Sequence, residues 1–76
     1  MNKIISVDKE VLGGTPVFSN TRVPIKNLFD YLETGETLEI FLDDFPSVTK
    51  EQAIGILEMA EKIITLTSEA VNENIA

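Results

Sequence analysis

The sequence predicts a mainly α fold: a short N-terminal β-hairpin followed by a three-helix, helix-turn-helix-like bundle with a long third helix. Three observations carry this. Residues 1–24 concentrate strand and turn formers, and residues 25–68 repeat apolar side chains at helical spacing. Pro24 and Pro46 mark where one element gives way to the next. With 76 residues, one domain over 1–76 is expected. It divides into a hairpin arm (1–24), a bundle (25–68) and a polar tail (69–76) expected to fray as chain ends do.

Lys3–Val7 reads as a short strand around Ile4 and Ile5. Gly13, Gly14 and Pro16 read as a turn, since glycine reaches positive φ freely and proline forbids helix continuation. Pro16–Ser19 and Thr21–Val23 flank Ser19-Asn20 and read as a hairpin pair, with Asn20 the residue that tolerates the left-handed region. Pro24 stands where the first helix opens. That helix is expected over about Ile25–Glu33, with Ile25, Leu28, Phe29 and Leu32 at i, i+3, i+4, i+7 spacing and Gly35 as its stop. A short second helix, about Thr37–Asp43, has Thr37 as N-cap, Leu38, Phe41, Leu42 and Phe45 as buried side chains, and Pro46 at its end. The third starts at Thr49, where Thr49 and Gln52 fit a capping box, and runs to about Ser68.

The third helix is long for so small a domain. Ala53, Ile56, Leu57, Ala60, Ile63, Ile64 and Thr67 form a wide apolar stripe, and little chain remains to cover its far half. Small scaffolds compensate with disulfides, metals or oligomerisation. The chain has no Cys and no His, which removes disulfides and the usual zinc ligands; no cofactor is expected. A homodimer is therefore expected, with Ile54, Ala60, Ile63, Ile64 and Leu66 as the dimer or partner face. No apolar run approaches the roughly 20 residues of a membrane span, and the N-terminus lacks a signal pattern, so a cytoplasmic location is expected.

The net charge is −7 and is split along the chain. Residues 1–26 carry Lys3, Lys9, Arg22 and Lys26 against Asp8 and Glu10. Residues 27–76 carry Lys50 and Lys62 against eleven acids. Nucleic-acid affinity comes mostly from neutralising phosphates, so an acidic helical half suits a basic protein partner better; plain solubility is the alternative reading. If the third helix reads DNA, its first turn would do so. Candidate DNA or partner contacts are accordingly Arg22, Lys26, Thr49, Lys50 and Gln52, against a generic helical corner in which these residues only pack. For Arg22 the favoured reading is an internal salt bridge to Asp43 or Asp44, which an acidic helix end would need. Gly13-Gly14-Thr15 lacks the Lys and following helix of a phosphate loop, so Gly13, Gly14, Pro16, Asn20, Pro24 and Pro46 are read as structural turn residues. Asp43-Asp44 is a weak cation pair at best. Acid–base and nucleophilic catalysis lack a His, Cys or activated Ser; no enzyme is expected.

The run Val11-Leu12-Gly13-Gly14-Thr15-Pro16-Val17-Phe18-Ser19-Asn20-Thr21-Arg22-Val23-Pro24-Ile25 resembles the signature of a small prokaryotic domain-of-unknown-function family, number 433. Asp43-Asp44-Phe45-Pro46-Ser47-Val48-Thr49 resembles its second mark, and Gly35 matches a glycine between its first two helices. The resemblance covers about residues 4–60. It departs at Asn20, where the family usually has glycine; Asn is the next residue to visit that backbone region. The resemblance implies a VapB-type, antitoxin-like protein of a toxin–antitoxin system. Such a protein binds a PIN-like ribonuclease toxin and, as a dimer, operator DNA. The alternative is a dimeric structural or adaptor module with no nucleic-acid role, because fold analogy alone does not establish function.

Overall fold

The computed structural model describes the backbone of residues 3–75 and the side chains of residues 3–67. Strand β1 (Ile5–Ser6) pairs antiparallel with β2 (Val17–Phe18), setting Ile5 opposite Phe18 and Ser6 opposite Val17. A 3-10 turn over Leu12–Gly14 connects them, with Gly13 and Gly14 at φ 66° and 94°. These values suit a residue without Cβ.

The expected hairpin is corrected in its pairing. Thr21–Val23 does not form a strand against Pro16–Ser19. What remains of that pairing is one bridge, Val17 to Pro24, with the Phe18 N–H donating to the Val23 carbonyl at 3.0 Å. The other edge of β2 goes to β1, because β1 brings Ile4 and Ile5 onto the core. The turn itself is as read: Asn20 has φ 64°, and the Thr21 N–H and hydroxyl both donate to the Phe18 carbonyl, at 3.1 and 2.7 Å.

Helix α1 (Ile25–Glu33) has the expected bounds, with Pro24 as its N-cap. It ends in paired hydrogen bonds from Gly35 N–H to the Leu32 carbonyl and Glu36 N–H to the Tyr31 carbonyl, at 3.1 and 3.0 Å. With Gly35 at φ 89°, this is the Schellman arrangement that satisfies the last free carbonyls. Helix α2 (Leu38–Asp44) lies one residue later than expected at both ends; the Thr37 hydroxyl accepts from the Ile40 N–H at 3.2 Å. Helix α3 (Lys50–Ile75) opens on the capping box. Thr49 N–H donates to Gln52 Oε1 at 3.0 Å, and Gln52 N–H donates to Thr49 Oγ1 at 3.1 Å. It continues past Ser68, since neither glycine nor proline follows to stop it. The expected fraying of 69–76 concerns side chains outside the described residues.

The core joins the arm to all three helices: Phe18 from β2, Leu28 from α1, Phe41 from α2, Val48 from the turn, and Ala53 and Ile56 from α3. Phe41 is its hub, with the rings of Phe18, Tyr31 and Phe45 centred 6.0, 5.4 and 5.1 Å away. Gly55 lets the arm lie against α3, since a Cβ there would stand 2.5 Å from Ile4 Cδ1.

Candidate functional site

Three surfaces of the molecule are built from the residues singled out above. The first is a groove of about 610 Å³ where the arm meets the start of α3, lined by Lys3, Ile4, Ser6, Ser19, Asn20, Thr49, Glu51 and Gln52. Gln52 organises it. Its Oε1 completes the helix cap, while its Nε2 donates to the Ser19 carbonyl at 3.0 Å and ties the hairpin turn to α3. Beside that bond the Ser19 hydroxyl is buried without a hydrogen-bond partner. Thr49 and Gln52, both candidate DNA contacts, thus spend their polar atoms inside the fold. Lys50 stays exposed.

The other candidate cations do not gather around α3. Lys26 on α1 pairs with Asp30 one turn on, at 2.9 Å, and that hydrogen bond holds its pKa above the ordinary lysine value. The favoured partner for Arg22 is corrected. Among the described residues Lys26–Asp30 is the one ion pair, and Arg22 is exposed with no bridge to Asp43 or Asp44. Asp44 is satisfied by a neutral donor instead.

That donor, Tyr31, makes the second surface. Its hydroxyl donates to Asp44 Oδ2 at 2.6 Å, across the α1–α2 corner. The bond to the carboxylate, and secondarily burial, raise the Tyr31 pKa above its ordinary value. The ring stands edge-on to Phe41 and Phe45, at 80° and 72°. Tyr31, Thr34, Glu36, Ile40 and Asp44 line a shallow cavity of about 260 Å³. Its lining residues Glu36 and the apolar Ile40 are exposed, and Glu39 and Asp43 beside Ile40 on α2 and Glu33 on α1 are exposed as well. None of these carboxylates makes an ion pair among the described residues. The sequence reading missed Tyr31 and Ile40. Tyr31 was legible in its spacing, three residues after buried Leu28. No group of three or more His, Cys, Asp or Glu that could hold a metal ion occurs among the described residues.

The third surface is the far half of α3. Of the expected dimer or partner face, Ile54, Ile63, Ile64 and Leu66 are exposed and Ala60 is half-buried. Exposure climbs from 42% at Met59 to 61% at Ile63 and 84% at Leu66. Met59 was missed, although it falls four residues before Ile63 and seven before Leu66, the spacing of a single helix face. No helix among the described residues is long and apolar enough to cross a membrane.

The arrangement of arm, aromatic corner and capped α3 corresponds to a known family. Residues 5–60 match the family model described as Protein of unknown function (DUF433). The chain belongs to this family. A crystal structure of a DUF433 member from Anabaena variabilis is similar to it at 26% identity and a TM-score of 0.62, covering 96% of this chain and 68% of that one. An uncharacterized protein of Sinorhizobium fredii, y4eO, is 34% identical over 50 residues, or 66% of this chain. The chain spans 23% of that relative's length. The DUF433 match ends at residue 60, so it takes in the arm, the corner and the packed half of α3. The stretch holding Ile63, Ile64 and Leu66 lies beyond it.

Proposed function

We propose that this DUF433 chain is a non-enzymatic, antitoxin-like regulatory protein of the prokaryotic cytoplasm that binds a basic, PIN-like ribonuclease toxin. The supporting observation is the α1–α2 corner, where the exposed Ile40 lines a cavity with Glu36 and Asp44, and Glu39 and Asp43, its neighbours on α2, are exposed and make no ion pair among the described residues. An apolar anchor beside side chains of one charge sign suits a protein partner of opposite charge: the anchor supplies affinity, the charges steer encounter and fix register. The toxin class comes from the antitoxin-like character of the family resemblance. Operator DNA is a lesser partner in this reading. Of the five candidate contacts, only Arg22 and Lys50 keep a free cationic head group, and each phosphate contact contributes separately to affinity. That balance favours the adaptor alternative over a direct DNA reader if no toxin is bound.

Co-expression of the full chain with the product of its neighbouring gene tests the proposal. Co-purification with loss of ribonuclease activity supports it. The charge-reversed variant Glu36→Lys/Glu39→Lys/Asp43→Lys is expected to associate more slowly, with weaker dependence on salt. Failure of the wild-type chain to associate overturns the proposal and leaves the adaptor reading.

A further inference from the structure

The molecule is less compact than its size requires. A folded chain of 8.4 kDa is expected to expose about 4,600 Å², whereas this one exposes 5768 Å². Its radius of gyration is 14.2 Å, against about 11.4 Å for a compact domain of this length. The surplus surface, about 1,150 Å², exceeds the roughly 800 Å² that each partner contributes to a stable interface. It arises where α3 outruns the bundle, for among the described residues of α3 the last buried one is Ile56.

We infer that the exposed face of α3 docks antiparallel onto α3 of a second copy of this chain. The pattern of charges permits it. Met59, Ile63 and Leu66 make one ridge, flanked by Lys62 on one side and Ala60 on the other, while Glu61 projects from the opposite side of the helix and Glu58 from the flank beyond Lys62, at about 100° per residue. Two chains of like net charge can therefore meet on this face without opposing carboxylates. Charge also sets the direction. The arm end of α3 carries Lys50 beside Glu51 and, across the groove, Lys3, a net positive group in which neither lysine is ion-paired among the described residues. In its far half, among the described residues 58–67, the helix holds Glu58 and Glu61 against Lys62 alone. An antiparallel pair sets each acidic end beside the basic arm of the other chain, whereas a parallel pair stacks the acidic ends together. Full overlap of two Lys50–Ile75 helices puts the two-fold axis between Lys62 and Ile63, in the middle of the exposed stretch, with Met59 of one chain opposite Leu66 of the other. This contact leaves the acidic corner free and does not depend on the toxin reading.

Sedimentation of the full chain alone, at micromolar concentration, is expected to show a dimer. Ile63→Glu and Leu66→Glu alter exposed side chains, so helicity by circular dichroism should persist while dimer affinity falls at least about ten-fold. Direction is read by disulfide trapping, which the absence of native cysteine makes clean. Met59→Cys and Leu66→Cys chains should cross-link when mixed and not when oxidised separately. A monomer at these concentrations, a dimer indifferent to both Glu substitutions, or cross-linking of each Cys variant with itself overturns the inference.

Discussion

Gln52 is the residue on which the attachment of the arm can be measured. Its side chain makes two bonds of different kinds, one completing the exposed cap of α3 and one holding the part-buried Ser19 carbonyl across to the hairpin turn. Gln52→Ala removes both. A net hydrogen bond contributes about 1 kcal/mol, and stranding a partly buried carbonyl adds about another 1 kcal/mol. The expected loss is thus about 2 kcal/mol, a fall in Tm of about 8–16 °C for a domain of this size. Gln52→Glu separates the two contributions. It keeps an acceptor for the Thr49 N–H and adds negative charge at a helix N-terminus, which is favourable. It loses the donor to Ser19 and sets a carboxylate against that carbonyl. Urea and thermal unfolding of wild type, Gln52→Ala, Gln52→Glu and Thr49→Ala measure each share, with Thr49→Ala expected to lose about 1 kcal/mol through the cap alone. Amide exchange at Ser19 reports the arm directly, because its N–H bonds the Ile4 carbonyl at 2.8 Å. If Gln52→Glu is as stable as wild type and protects Ser19 equally, the tie carries nothing, and burial of Ile4, Ile5 and Phe18 alone holds the arm.

Phe41→Ala should cost about 3–5 kcal/mol, since the ring is fully buried among three others and its removal leaves a cavity; chemical denaturation measures the loss, and one below about 1 kcal/mol would refute its place as hub. Asn20→Gly should be near neutral, and Asn20→Val should destabilise by about 1–2 kcal/mol, the penalty for a Cβ in the left-handed region at φ 64°; equal stability of the two variants by thermal unfolding contradicts that backbone geometry. The Tyr31 phenol should titrate above the ordinary value of about 10, because its bond to Asp44 favours the protonated form. Stability from this bond is present below the unfolded pKa and is lost as pH rises through the folded one. Tyr31→Phe should abolish that alkaline step in unfolding titrations while leaving the ring packing, and a phenol that titrates at or below the free value refutes the bond.

The helical half was legible because its signals are local. Leu28 and its neighbours, Gly35, Thr37 and the Thr49–Gln52 box are each decided within four or five residues, and all stand where the sequence placed them. The arm was legible only in parts. Asn20 is governed by its own backbone, whereas the partner of β2 depends on which apolar residues gain burial, and the local pattern favoured the near neighbour Thr21–Val23 over Ile4 and Ile5. Arg22 illustrates the same limit. An acidic pair demands a cation when only charge is counted, yet Tyr31 supplies Asp44 with a donor whose direction no sequence pattern records. Among the candidate DNA contacts, residue type was right for the chemistry, but Gln52 has two amide atoms and the fold uses both.

The seat that Gly55 makes for Ile4 has a consequence for the order in which the chain can fold. Ile4 is synthesised before α3, and its place on that helix exists only after the intervening chain has followed. The hairpin turn meets the same delay, since Ser19 waits for Gln52. Contacts between distant segments must pay loop-closure entropy before they are rewarded, so an emerging arm has no lasting partner on the ribosome. Helices α1 and α2, whose aromatic corner spans only a short stretch of sequence, can form first and wait. The arm should therefore be the last part to gain protection in refolding and the first to lose it in unfolding, making the arm the point at which a protease first reads the state of the fold.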